Sequence, residues 1–178
     1  MNPKPMSLGL PRSGTVRLVA HSSAWATEYW LERGRILSVL GVRIQAIEHV
    51  GSTAIPGIAA KPIIDIAIAV PTLDAVDTLA PSMARIGYDY PGDIGIPGER
   101  IFGRGPELRT HLVHAVVAND STWRNYLAFR DALRADAELA REYHLLKLAL
   151  AKRYPEDRGS YTRGKGAFIE KVLHHEEG

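Results

Sequence analysis

The chain has 178 residues, of which 46% are hydrophobic and 24% are charged, and its formal net charge is +2. This length and balance predict one globular domain with a core of its own. The small net charge gives no reason to expect nucleic acid or a membrane as a partner, and no run approaches the ~18 apolar residues of a membrane span. The absence of cysteine excludes disulfides and thiolate metal sites and fits a reducing, cytoplasmic compartment.

Residues 1–14 are rich in Pro, Gly and Ser and contain no apolar segment of the kind that signal peptides carry. We interpret them as a flexible tail, followed by a single domain over residues 15–175.

The first half of the chain alternates strand and helix patterns. A helix is expected from a cap at Ser22 or Ser23 to Gly41, because serine hydroxyls accept from free N–H groups and glycine tolerates a helix end. The nearly pure apolar run 62–70 is typical of a central strand buried on both faces. The remaining predicted elements here are strands over 16–19 and 42–50 and a loop over 51–61.

The second half becomes helical. A helix over 73–86, limited by Pro81, precedes strands over 99–102 and 111–117. Three capped helices then follow: from Asp120 or Ser121 to about Arg134, from Asp136 to Tyr154, and from Ser160 to near Leu173. This order predicts an α/β first part followed by a C-terminal helical layer.

The loop between the strands over 42–50 and 62–70 carries the strongest functional signal. Gly51 lets the backbone approach a ligand, Ser52 and Thr53 offer groups suited to phosphate oxygens, and Lys61 adds a positive charge. Asp65 interrupts the apolar strand, where a Mg²⁺ ion that bridges to a phosphate would relieve its burial. The alternative is an ordinary turn followed by an aspartate that accepts structural hydrogen bonds.

The segment 47–57 together with 61–66 closely resembles the signature of the GrpB family. The resemblance covers about residues 15–173 and includes, further along the chain, Trp25, Glu32, Gly87-Tyr88, Gly95-Ile96-Pro97-Gly98, Phe129-Arg130-Asp131, Tyr143, Leu146-Lys147, Tyr161 and Lys165. It implies an α/β (α+β) nucleotidyltransferase-like fold, in which a mixed sheet carries a C-terminal helical layer. In some bacteria a similar domain is fused to dephospho-CoA kinase.

The chain departs from the usual nucleotidyltransferase pattern at one position. Enzymes of that fold place two carboxylates at i and i+2 of a strand, where they share one face and can hold two metals. Here the second position is Ala67. A second ligand would have to come from elsewhere, with Glu48 the nearest candidate and Asp93 and Glu99 the others.

Three histidines adjoin these segments. His111 and His114 are three residues apart and should face opposite sides of a strand. The family often shows His-x-His here, and because Leu112 stands at the first position only His114 matches. His49 adjoins the loop and is equally consistent with packing in the core. A zinc site built from three histidines is a further alternative.

Basic residues of the C-terminal helices lie in apolar stripes. Lys165 shares a face with Tyr161, Lys147 lies among apolar residues of the preceding helix, and Arg130 is in a similar position. A shared anionic ligand would explain them. The alternatives are lysine stems that pack while their ammonium groups reach water, or a pairing of one of them with Glu32.

The sequence therefore predicts a Mg²⁺-dependent nucleotidyl- or phosphoryl-transferase acting on a small molecule. The predicted catalytic residues are Asp65, which also holds Mg²⁺, with Glu48 and His114. The predicted ligand-binding residues are Gly51, Ser52, Thr53, Lys61, Arg130, Lys147, Tyr161 and Lys165. The alternatives are a non-catalytic module that binds a nucleotide or CoA precursor, which Ala67 favours, and a protein-interaction domain that retains the fold.

Overall fold

The computed structural model describes residues 8–12 and 14–176. The strands are β1 (Leu10–Pro11), β2 (Ala46–Val50), β3 (Ile64–Val70), β4 (Tyr88–Asp89), β5 (Glu99–Arg104), β6 (Leu108–Arg109) and β7 (His111–Val117). The helices are α1 (Ala24–Leu40), α2 (Ala80–Ala84), α3 (Ser121–Ala135), α4 (Ala137–Arg153), α5 (Arg158–Arg163) and α6 (Gly166–Glu176), and short 3₁₀ turns cover Gly41–Arg43, Ser52–Ala54 and Leu73–Leu79.

A five-stranded mixed sheet forms the centre of the domain, with strand order β2-β3-β7-β5-β4. Strand β3 pairs antiparallel with β2 and parallel with β7, and β5 pairs antiparallel with β7 and with β4. The strands predicted within 42–50 and 62–70 are thus neighbours in one sheet. The mixed α/β class predicted from the sequence is confirmed.

The two faces of the sheet are covered by different helices. On one face, alternate residues of β3 such as Ile64 and Ile66 pack with Trp25 and Ile36 of α1 in the largest core cluster. On the other face, the small side chain of Ala67 packs near Trp123 of α3. The second face carries Asp65, so the site lies between the sheet and the C-terminal helices.

The C-terminal helices form the predicted layer and hold the loop after β2. Ile55 and Ile58 of that loop are buried against Leu133, Tyr143 and side chains of α6. The loop therefore packs between the helical layer and the sheet.

Of the three caps predicted for the C-terminal helices, two are confirmed and the third is wrong. Asp120 accepts a hydrogen bond from the Ser121 amide at 2.7 Å, and Asp136 accepts from two amides at the start of α4. The last predicted helix is instead two helices, and Asp157 rather than Ser160 caps the first of them.

Several predicted boundaries differ from the structure. Residues 16–19 form no strand, because only a single bridge joins Val19 to Ala60. Strand β2 begins at Ala46 because Gly41–Arg43 form a 3₁₀ turn. Within 73–86, Leu73–Leu79 form a 3₁₀ helix and only Ala80–Ala84 are α-helical.

The predicted tail is ordered in part. Leu10 is buried and β1 pairs with β6, so residues 8–12 lie on the domain. Residues 1–7 and 13, which the prediction also included, lie outside the described residues. Within the described part of the chain, no helix has both the length and the apolar character needed to cross a membrane.

Glu32 is a structural residue of the first face. It is buried and accepts hydrogen bonds from Arg104 at 2.6 Å, Tyr88 at 2.9 Å and Arg35 at 3.1 Å. Its partners therefore come from the sheet and α1, so the alternative pairing with a basic residue of the C-terminal helices is wrong.

Candidate functional site

Asp65 lies on β3 directly beside the end of β2. It is paired in register with Val50, and the next residue, Gly51, has a φ of 70°. A Cβ atom at position 51 would lie 2.6 Å from Asp65 Oδ2. Glycine is thus required here both for its backbone conformation and for the close approach of the loop to the carboxylate.

His114 joins Asp65 to a second carboxylate. Its Nε2 lies 3.4 Å from Asp65 Oδ1 and its Nδ1 lies 2.9 Å from Glu99 Oε2, which also accepts a hydrogen bond from the Tyr126 hydroxyl at 2.7 Å. The register of β3 and β7 places His114 opposite Ala67 on the same face. The sequence prediction identified His114, but Tyr126 gave no signal beyond its helical face.

His114 and Asp65 stabilise each other in their charged forms. Burial lowers the pKa of His114, but hydrogen bonds to Asp65 and Glu99 outweigh it and raise the pKa to about 9. Burial raises the pKa of Asp65, but His114, Lys61 and Lys165 together hold it below its usual value. Asp65 therefore stays ionised at neutral pH, and its side chain is still 30% exposed.

Three lysines converge near Asp65, from the loop after β2, from α4 and from the turn between α5 and α6, and we call them the lysine site. Lys61 and Lys165 lie over the ring of Tyr161, at 5.6 and 4.9 Å from its centre. Lys147 lies 4.9 Å from the centre of the Tyr143 ring and donates to the Ala59 carbonyl.

The lysines repel one another and are poorly solvated. Lys147 is 1% exposed, and burial together with the charges of Lys165 and Lys61 lowers its pKa to about 7. Burial and Lys61 lower the pKa of Lys165 to about 8, although Asp65 opposes the shift. Among the described residues, no carboxylate forms an ion pair with any of the three.

The loop hydroxyls differ in their roles. Thr53 is buried and its hydroxyl lies 3.0 Å from Nε2 of His49, on the face away from Asp65. Ser52 is half-buried and lies beside the Tyr143 hydroxyl, whose pKa burial raises to about 12 although Ser52 opposes the shift. Ser52 thus faces the lysine site, whereas the Thr53 hydroxyl is engaged with a core histidine.

Glu48 and Arg130 lie together at the edge of the sheet. Arg130 donates to Glu48 Oε2 at 2.7 Å and to the His49 carbonyl at 3.0 Å, and it also pairs with Asp131. The charge of Glu48 is therefore balanced within the protein, and the guanidinium of Arg130 is fully used.

The remaining candidates lie apart from Asp65. His111 is buried on the opposite face of the sheet, and burial lowers its pKa to about 4. His49 stacks on Tyr29 at 4.8 Å on that same face. Asp93 pairs with Arg100 at 2.7 Å. Across residues 8–12 and 14–176, no three His, Asp or Glu side chains form a metal-binding cluster, so the zinc alternative has no support there.

Some side chains at the lysine site are closely packed. Two hollows of the surface, of about 570 and 260 Å³, lie elsewhere and neither includes Asp65. Tyr161 and Lys147 are each 1% exposed. The three lysines lie around Asp65, whose side chain remains partly exposed.

Comparisons with known proteins establish the family. The family model described as GrpB protein matches residues 15–175. The chain belongs to the GrpB family. The crystal structure of conserved protein GrpB from Enterococcus faecalis superimposes with a TM-score of 0.81 at 35% identity, covering 89% of this chain and 96% of that one.

The GrpB relatives differ in length. The UPF0157 protein YqkA of Bacillus subtilis is 39% identical over 87% of this chain, but the match spans only 45% of YqkA. Glutamate-rich protein GrpB of Alkalihalophilus pseudofirmus is 35% identical over 90% of this chain and 95% of its own length. A dephospho-CoA kinase of Mycolicibacterium paratuberculosis is 29% identical over 84% of this chain and 43% of its own length.

A nucleotidyltransferase shares the fold of this GrpB chain. Terminal uridylyl transferase 4 from Trypanosoma brucei, solved with bound dUTP, superimposes with a TM-score of 0.55 at 14% identity. The match covers 88% of this chain and 54% of that one, and it shows a shared fold.

Proposed function

We propose that this chain binds a phosphorylated small molecule, a nucleotide or a CoA precursor, at the lysine site. The observation that carries the proposal is the convergence of Lys61, Lys147 and Lys165 near Asp65, without ion-pair partners among the described carboxylates. Buried charges are normally paired, and an anion with several oxygens would pair all three.

The lowered pKa values of the lysines have a consequence for binding. At pH 8 the ligand-free protein holds Lys147 mostly neutral and Lys165 about half protonated, because their pKa values are about 7 and 8. A bound phosphate favours the charged ammonium and raises both pKa values. Binding should therefore take up protons, and affinity should fall as the pH rises above 8.

The donor set fits one Mg²⁺ ion that arrives with the ligand, and it does not fit a two-metal centre. Asp65 is partly exposed, Ala67 offers no ligand, and Glu48 is paired with Arg130. Mg²⁺ commonly binds through one or two carboxylates plus substrate phosphates and keeps several waters. At this position the ion would neutralise phosphate charge, while Asp65 supplies its protein ligand.

The second candidate function is transfer of a nucleotidyl or phosphoryl group. It is favoured by the position of Asp65 beside the Gly51–Ser52 turn in a fold shared with a uridylyl transferase that was solved with dUTP. The relative named dephospho-CoA kinase suggests CoA precursors as an alternative ligand class. Catalysis of this kind needs positioning and charge neutralisation more than a protein nucleophile.

A thermal-shift screen of nucleotides, CoA precursors and sugar phosphates, with and without Mg²⁺, tests binding. A ligand at 100 times its dissociation constant adds ~2.7 kcal/mol to the free energy of unfolding. We expect the stabilisation to be lost in Lys165→Met and kept in Lys152→Met, which removes an exposed lysine of α4. No stabilisation by any of these ligands would leave the interaction-domain alternative.

Incubation with labelled ATP and the ligands found in the screen separates binding from transfer. Turnover that requires Mg²⁺ and is lost in Asp65→Asn would support the transferase. Tight binding without any labelled product would support the non-catalytic module.

A further inference from the structure

A second cleft lies between α1 and α3 at the edge of the sheet. It has a volume of about 260 Å³, and we call it the arginine cleft. Its lining includes Tyr29, Trp30, Arg33, Ile47, His49 and Arg134, together with Glu48, the one carboxylate of the cleft, whose charge is paired with Arg130 at 2.7 Å. Pockets for drug-sized ligands usually measure ~300–1,000 Å³, so a ligand of this cleft must be small.

Two guanidinium groups of the cleft lack a close ion pair with any described carboxylate, although Asp131 and Glu48 lie near enough to act on the charge of Arg134. Arg33 lies 5.3 Å from the centre of the Trp30 ring and forms no ion pair with any carboxylate that the structure describes. Arg134 donates through Nε to the Ala54 carbonyl at 2.8 Å, which fixes its plane, and its Nη1 lies 3.9 Å from Asp131. Asp131 is already held closely by Arg130, at 2.7 Å.

The cleft also carries an exposed aromatic side chain. Trp30 is 62% exposed, the most exposed of the three tryptophans in the sequence, since Trp25 and Trp123 are buried. Beneath it, Tyr29 stacks on His49, whose pKa burial lowers to about 4, so the wall on that side is uncharged at neutral pH. An indole next to guanidinium groups that lack a close carboxylate partner can contact the ring and the charge of one ligand together.

The floor of the cleft is the outer edge of β2. Strand β2 ends the sheet, and the carbonyls of Ile47 and His49 point outward, where they accept from Tyr29 and Arg130. In an antiparallel pair the N–H of a residue points to the same side as its carbonyl. The N–H groups of Ile47 and His49 therefore face the cleft and add donors for an anion.

We propose that the arginine cleft is a second binding site that takes a small aromatic carboxylate. Arg33, Arg134 and the edge amides of β2 bind the carboxylate, and Trp30 contacts the ring. The planar guanidinium forks match the geometry of a carboxylate. This site is independent of the lysine site and of the function proposed for it.

The cleft is connected to the loop that carries Ser52. Arg134 holds the Ala54 carbonyl at the end of the 3₁₀ turn, and His49 contacts Thr53 within it. A ligand of the cleft therefore contacts two residues, Arg134 and His49, that fix the loop over Asp65.

The test is a titration with benzoate followed by ¹H–¹⁵N correlation spectra of the full chain. We expect saturable shifts of the Ile47 and His49 amides and of the Trp30 indole N–H. Acetate, which lacks the ring, and benzamide, which lacks the charge, should each bind at least ~10-fold more weakly, a difference of ~1.4 kcal/mol.

Two surface substitutions and one control complete the test. Arg33→Gln and Trp30→Ala should each weaken benzoate binding about tenfold, and unchanged resonances elsewhere in the spectrum will report an intact fold. Lys165→Met should leave benzoate affinity unchanged, which separates the arginine cleft from the lysine site. Shifts that do not saturate, equal affinity for acetate, or unchanged affinity in Arg33→Gln would overturn the proposal.

Discussion

Replacing Lys147 by methionine should change how the stability of the protein depends on pH. Lys147 is 1% exposed, and burial together with Lys165 and Lys61 lowers its pKa to about 7. Methionine keeps the unbranched length that packs on Tyr143 but removes the charge. It also leaves the Ala59 carbonyl without its donor, a pH-independent loss of ~1–3 kcal/mol.

The size of the effect follows from the shift in pKa. A lysine in the unfolded chain has a pKa of ~10.4, so between pH 7 and pH 10 the unfolded state binds the extra proton and stability rises with pH. Lowering the pH from 9 to 6 charges Lys147 in the folded state and lowers the free energy of unfolding by about 3 kcal/mol. The stability that a neutral Lys147 provides at higher pH is fully lost below a pH of about 7.

Urea denaturation at pH 6 and pH 9 measures this term. We subtract the free energy of unfolding of the unsubstituted protein from that of Lys147→Met at each pH. This difference should be about 3 kcal/mol larger at pH 6 than at pH 9. Lys152→Met, which changes an exposed lysine of the same helix, should show no such change. Parallel pH dependence of Lys147→Met and the unsubstituted protein would refute the reasoning.

Three further substitutions separate the site from its scaffold. Asp65→Ala should abolish ligand binding in thermal-shift assays and cost ~1–3 kcal/mol without ligand, because His114 loses an acceptor; an unchanged affinity would mean that Asp65 is only structural. Gly51→Ala should lower the melting temperature and weaken binding, because its Cβ would lie 2.6 Å from Asp65 in a strained backbone conformation. A melting temperature equal to that of the unsubstituted protein would count against this contact. Glu32→Gln should cost ~1–3 kcal/mol in urea melts, because the buried carboxylate loses its charged hydrogen bonds to Tyr88 and the partly exposed Arg104. Ligand affinity in the folded protein should stay the same; a loss of affinity would show that the scaffold and the site are not separable.

The central features of the fold follow from local patterns. The run 62–70 predicted a strand buried on both faces, and Asp120 and Asp136 predicted two helix starts, because periodicity and capping depend on residues close in sequence. The break near Gly164 was missed. A Cβ there would lie 2.5 Å from a methyl group of Leu150, a contact between helices that no local pattern reveals.

The site was predictable in its residue types but not in its pairings. Lysines in apolar stripes drew attention to Lys147 and Lys165, although Lys165 lies in the turn between α5 and α6 rather than on the predicted helix. The bond between His114 and Glu99 depends on the register of β5 against β7, which the sequence does not encode locally. The engagement of Thr53 with His49 likewise depends on how the loop folds over the end of β2.

The most direct test of the central claim is calorimetric titration with ATP at pH 8 in two buffers of different ionisation enthalpy. If a phosphate ligand charges Lys147 and Lys165, the observed heats will differ between the buffers and will show net proton uptake, which Lys147→Met will reduce. Binding should also be lost in Lys165→Met and retained in Lys152→Met. Absence of binding, or binding with equal heats in both buffers and unchanged affinity in Lys165→Met, would contradict the account.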